Sequence, residues 1–172
     1  AQAPRVVFYP GSSIGNFNPD EALALLKQAH AVCRSGGAGG GLLIGVDRVK
    51  PRAVLEPAYD DALGVTAAFN RNLLLNVNRV LGADFAPAAW RHVGLFNTER
   101  SRIEMHLEAS TQQTVRWAGG HRVFAAGERL HTESSYKWQP EAFEAVLRDA
   151  GFGAARHWSD PQGWFSVFWA PA

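Results

Sequence analysis

Two apolar, β-branched runs, RVVFY at residues 5–9 and LLIGV at 42–46, flank a helical stretch, and this constrains the fold more than anything else in the chain. Between them, Asn18-Pro19-Asp20-Glu21 supplies a cap, a proline at the first helical position and acidic residues in the first turn. Leu23, Leu25, Leu26 and Ala29 follow at a helical period, so the spacing predicts a helix from about 19 to 34. Strands without polar alternation read as buried, the texture of a parallel sheet. The unit is therefore a βαβ with a right-handed crossover, and SGGAGGG (35–41) reads as a flexible connector into the second strand.

Beyond Asp47 the texture changes. Leu55, Ala58, Ala62, Val65, Phe69, Leu73, Leu74 and Val77 recur at helical spacing and predict one long or two shorter helices over 53–81, with a short helical turn at 87–93. From about 92 to 136 alternation takes over: SRIEMHLEA, QQTVRW, HRVFAAGE and RLHTESSYKW read as antiparallel strands. Pro140 to Gly151 is an amphipathic helix with Phe143, Val146 and Leu147 inward, and closing strands fall near 154–158 and 164–169. The sheet so predicted is thin, its first strand lies at an edge, and the N-terminal half of a doubly wound domain is expected to be absent or supplied by another chain.

The loop PGSSIGNF after the first strand is where an open α/β sheet presents a ligand. Three readings compete for it. A phosphate cradle needs amides at a helix N-terminus, with a lysine or G-x-G-x-x-G spacing, and this loop has neither. Gly11, Ser13 and Gly15 fit G-x-S-x-G, but Ser13 stands five residues before the Asn18 cap, too early for a nucleophile at the strand-to-helix junction. A substrate floor is the third reading. Asn16 offers both an acceptor and a donor, which suits an amino acid's ammonium and carboxylate, although a lone loop asparagine often only satisfies backbone.

Composition narrows the ligand further. Seventeen basic residues balance sixteen acidic ones, so nothing draws the chain to nucleic acid or an anionic membrane, and a small, roughly neutral ligand is expected. Cys33 reads as a buried or half-buried thiol, and its spacing to the six histidines fits no metal site. Apolar runs are too short to span a bilayer and no signal pattern opens the chain, which points to the cytosol.

Several stretches together resemble the histidine-specific, S-adenosylmethionine (SAM)-dependent methyltransferases of ergothioneine biosynthesis. They are FYPGSSIGNFNPDEA, LLIGVDRVK, AYDDALGVTAAFNRNLL, RIEMHL, FAAGERLHTESSYKW and the ending GF…WSDPQGWFSVFW, in the same order. The resemblance covers the C-terminal half or so of the family's chain; the family's glycine-rich SAM motif and part of its histidine pocket lie N-terminal to it. It implies a Rossmann-like methyltransferase core over residues 1–50, an inserted α+β substrate-binding domain over 51–133 and a return to the core over 134–172.

It also implies site residues. Asn16 would hold the amino and carboxylate end of L-histidine and Tyr59 would donate its hydroxyl to the carboxylate. Glu133 and Ser135 would meet the imidazole, Met105 would pack on the ring, and Gly11 and Ser13 would line the same pocket. The alternation of RLHTESSYKW independently sets Glu133 and Ser135 on one strand face, whereas His131 reads as structural. The implied chemistry is displacement at a sulfonium methyl by the unprotonated α-amine, dominated by placement, with no metal and no covalent intermediate. Two rivals stay open: an amino-acid-binding or scaffolding protein without catalysis, and a serine hydrolase using Ser13.

Overall fold

The computed structural model describes residues 2–172. These divide into two compact units, one of residues 2–50, 98–102 and 134–172, the other of 51–97 and 103–133.

In the first unit, β1 (Pro4–Tyr9), α1 (Pro19–Arg34) and β2 (Gly37–Asp47) form the expected crossover, with β1 and β2 paired in parallel. Asn18 and Glu21 form a complete capping box at the start of α1, each side chain accepting the other's backbone N–H. Two later strands, here β8 (Arg156–Ser159) and β9 (Phe165–Pro171), complete a four-stranded sheet in the order β1-β2-β9-β8. β9 is antiparallel to both neighbours, so β8 runs parallel to β1 and β2. The helix α4 (Pro140–Asp149) buries Phe143 and Leu147 in a core shared with Leu26, Leu42, Ile44, Val46 and Phe168. The result is a mixed α/β unit.

Two expectations for this unit fail. Residues 37–41 are not a connector but the first half of β2, paired with β1 from Pro4↔Gly37 onward. Their glycines serve close approach: a Cβ on Gly41 would sit 2.6 Å from the Ala170 carbonyl and against the Trp169 ring. Nor is β1 buried. As an edge strand it turns Val7 and Tyr9 inward, toward the core, and leaves Val6 55% and Phe8 66% exposed. A continuous apolar run marks a strand buried on both faces only when a layer covers each face, and among the described residues only one face of β1 is covered.

The second unit carries α2 (Arg52–Tyr59), α3 (Val65–Leu81), a three-stranded sheet and a hairpin. The sheet order is β3 (Trp90–Asn97), β4 (Arg102–Ala109), β7 (Arg129–Tyr136), and β5 (Gln113–Trp117) pairs with β6 (Gly120–Phe124) antiparallel. The helical turn expected at 87–93 is confined to Pro87–Ala89, because β3 begins at Trp90, which is buried among Phe85, Phe124 and Leu107.

α3 is a helix as expected, but it buries a different face. Val65, Phe69 and Leu73 are exposed, and Asn70 and Leu74 are the buried residues. Polar residues face inward because each finds backbone partners: Asn78 both donates to the Phe85 carbonyl and accepts its N–H at 2.8 Å, and Asn70 donates to the His106 carbonyl. At the other end of α3, Asp61 accepts the Val65 and Thr66 amides, which hold its carboxyl down at about 2.

Candidate functional site

In the first unit the loop after β1 leads into a single 3₁₀ turn, Ser13–Asn16, that buries Ile14 and Gly15 and leaves Ser13 and Asn16 at the surface. Ser12, in the left-handed region at φ 60°, precedes it, and its Oγ accepts the Asp47 N–H at 2.6 Å. The turn is thereby tied to the carboxyl end of β2. Gly15 packs so closely on the end of β7 that a Cβ would sit 2.8 Å from the Tyr136 carbonyl and 3.5 Å from Ser135 Oγ. Gly11, Ser13, Asn16 and Ser135 are thus gathered at one corner of this unit.

Two residues that sequence reasoning passed over organise that corner. The side chain of Lys137 is wholly buried, and its ammonium lies 2.8 Å from Asp47 Oδ2 and 2.9 Å from Ser135 Oγ. Asp47 also takes the Lys50 ammonium on its other oxygen. The missed signal is the LLIGVD run itself: a carboxylate ending a buried strand sits where an α/β sheet presents polar groups.

In the second unit, Glu133 is half-buried and lines a cavity of about 500 Å3 together with Thr132 and the α3 residues Phe69, Asn70, Leu73 and Arg79. Met105 is buried, and its carbonyl accepts the Thr132 hydroxyl at 3.0 Å, so Met105 and Glu133 lie on joined strands. Tyr59 is placed by its backbone. Its carbonyl, at the end of α2, accepts the Nε2–H of buried His92 at 2.7 Å. The His92 Nδ1 accepts from Asn70, whose second amide hydrogen goes to the His106 carbonyl. Gly94 permits the approach, because a Cβ there would meet the Tyr59 carbonyl at 2.9 Å. His92 and Asn70 carried no sequence signal beyond being polar residues on predicted elements.

Nearby, His106 Nε2 pairs with Glu104 at 3.2 Å, and its ring stands 5.1 Å from that of His131. Burial pushes the His106 imidazole below its ordinary value, with Glu104 opposing the shift. His131 itself is exposed, and its Nε2 lies 2.9 Å from the Glu133 carbonyl. Among the described residues no group of three or more His, Cys, Asp or Glu could hold a metal ion, and no helix is long and apolar enough to cross a membrane. Cys33 is buried, its thiol 3.1 Å from the Gly41 carbonyl.

Comparison with known proteins bears on what this corner and this cavity serve. The chain is 45% identical over 165 residues to a histidine N-alpha-methyltransferase of Mycolicibacterium smegmatis, covering 95% of this chain and 50% of that protein. It is 42% identical to the protein of the same name from Mycobacterium tuberculosis, with the same coverage. Ergothioneine biosynthesis protein 1 of Neurospora crassa matches at 30% identity over 90% of this chain and 17% of its own length. The chain thus spans about half the length of the first two relatives. The model of the SAM-dependent, histidine-specific methyltransferases matches residues 1–172, taking in both the loop corner around Asn16 and the cavity at Glu133, and the chain belongs to that family.

Proposed function

We propose that the protein methylates the α-amine of L-histidine with SAM as methyl donor, as a step of ergothioneine biosynthesis in the cytosol. The observation that carries the proposal is the family match over every residue of the chain. The names of the mycobacterial and fungal relatives agree with it.

In this reading Asn16 binds the amino and carboxylate groups, Tyr59 donates to the carboxylate, Glu133 and Ser135 take the imidazole, Met105 packs on its ring, and Gly11 and Ser13 line the pocket. Support comes from chemistry as well as resemblance. Asn16 carries a donor and an acceptor on an exposed turn, and Glu133 opens on a cavity large enough for an amino acid. A carboxylate that loses its imidazole N–H on binding another amino acid costs about 1–3 kcal/mol, which makes Glu133 the discriminating group.

The glycines at 37–41 are used in strand pairing, and β1 reaches α1 only through the 3₁₀ turn, so no glycine-rich turn opens a helix directly in either place. The role derived for these residues is to bind and orient the amino acid. Incubating the natural full-length protein with L-histidine and SAM, and locating any added methyl by mass spectrometry, tests the function. Methylation at the α-nitrogen is expected; methylation of the ring, or no transfer, would contradict it.

A further inference from the structure

We propose that Lys137 is the positioning residue for Ser135, and that the Asp47–Lys137 pair thereby sets how tightly the protein holds its amino acid. The inference rests on the reading that Ser135 touches the substrate.

Lys137 is buried completely through its side chain, and its ammonium bridges the Asp47 carboxylate at 2.8 Å and the Ser135 hydroxyl at 2.9 Å. An ammonium only donates. Ser135 Oγ is therefore the acceptor in this contact, and its own hydrogen points away from Nζ. A serine has three staggered rotamers, and the contact holds the one that keeps Oγ beside the ammonium. Packing does not demand such a pair, because well-fitted apolar side chains commonly replace buried ion pairs with no loss of stability. What the pair supplies here is orientation.

The pair is also anchored from the other side. The Asp47 N–H is held by Ser12 Oγ at 2.6 Å, the Asp47 carbonyl accepts the Trp138 N–H at 3.0 Å, and the Lys137 N–H goes to the Ser101 carbonyl at 2.8 Å. Neither partner can drift, since backbone bonds fix both. One connected set of bonds thus joins the loop bearing Gly11 and Ser13, the end of β2 and the end of β7 bearing Ser135. Moving Lys137 moves a substrate group, and moving Ser135 alone leaves the rest standing.

The test is a double-mutant cycle in the natural full-length protein, with L-histidine affinity read by calorimetry. Lys137→Met and Ser135→Ala are each expected to weaken binding about tenfold, the scale of one hydrogen bond, and the double variant no more than the weaker single. Lys137→Met leaves Asp47 with Lys50 on one carboxylate oxygen and the buried ammonium lost from the other, and Asp47→Asn added to it removes that half-satisfied charge; thermal stability is expected to recover in part while affinity stays weak, a separation that a purely structural role would not produce. If Ser135→Ala weakens binding but the two effects multiply, or if affinity recovers along with stability, the positioning role is overturned and the substrate reading survives. If the wild-type protein does not bind L-histidine, or Ser135→Ala binds it unchanged, the substrate reading falls and this inference with it.

Discussion

The Nε2 of His92 donates to the backbone carbonyl of Tyr59 across 2.7 Å, and that bond holds the end of α2 against β3. Asn70 fixes its sense: both amide hydrogens of Asn70 are committed, one to His92 Nδ1 and one to the His106 carbonyl, so the imidazole proton must sit on Nε2. Replacing His92 with phenylalanine strands the Tyr59 carbonyl and one Asn70 donor together. A loss of about 1–3 kcal/mol in unfolding free energy is expected from urea denaturation. Asn70→Ala should cost a similar amount, and the double variant less than the sum, because the two residues share one network.

His106 gives the stability a pH dependence of known sign. Its imidazole is held below its ordinary value, chiefly by burial, so the unfolded chain takes up this proton more readily than the folded one. The contribution is complete above the unfolded value of about 6.5 and is lost as pH falls below it. Denaturation midpoints measured from pH 7.5 down to 5 should decline for the wild type, and His106→Gln should flatten part of that decline.

Gly41 is a steric requirement of the sheet, unlike the flexible glycine that its composition suggests. With the Ala170 carbonyl 2.6 Å and the Trp169 ring 2.8 Å from where its Cβ would be, Gly41→Ala must push β2 and β9 apart. A destabilisation of about 1–3 kcal/mol is expected, on the scale of overpacking a core, and a shift in denaturation midpoint at unchanged m-value checks it.

The same glycines show where the sequence stopped being legible. Element existence was written in local chemistry: the Asn18-Pro19 start of α1, the alternation of β4 and β7, and the apolar period of α4 all correspond to observed elements. Burial was not, because it depends on what packs against an element. β1 lies at an edge as expected, yet one face of its continuous apolar run is open where the run reads as buried, and α3 buries Asn70 in place of Phe69 because Asn70 finds partners on His92 and His106. The glycine run was misread for the same reason: pairing partners decide whether it is strand or linker.

The candidate site divides the same way. Asn16, Glu133 and the other resemblance-borne residues could be named from motifs, and Asp47 from its place at the end of LLIGVD, while Lys137 and His92 could not, since their roles exist only through distances to residues remote in sequence.

The most direct test of the account is the affinity of the natural full-length protein for L-histidine, compared by calorimetry across the wild type, Glu133→Ala and His131→Ala. Glu133→Ala is predicted to weaken binding by tenfold or more, on the scale of a lost charge-assisted hydrogen bond, with His131→Ala close to wild type. The reverse order, or a wild-type protein that does not bind L-histidine, would contradict the account.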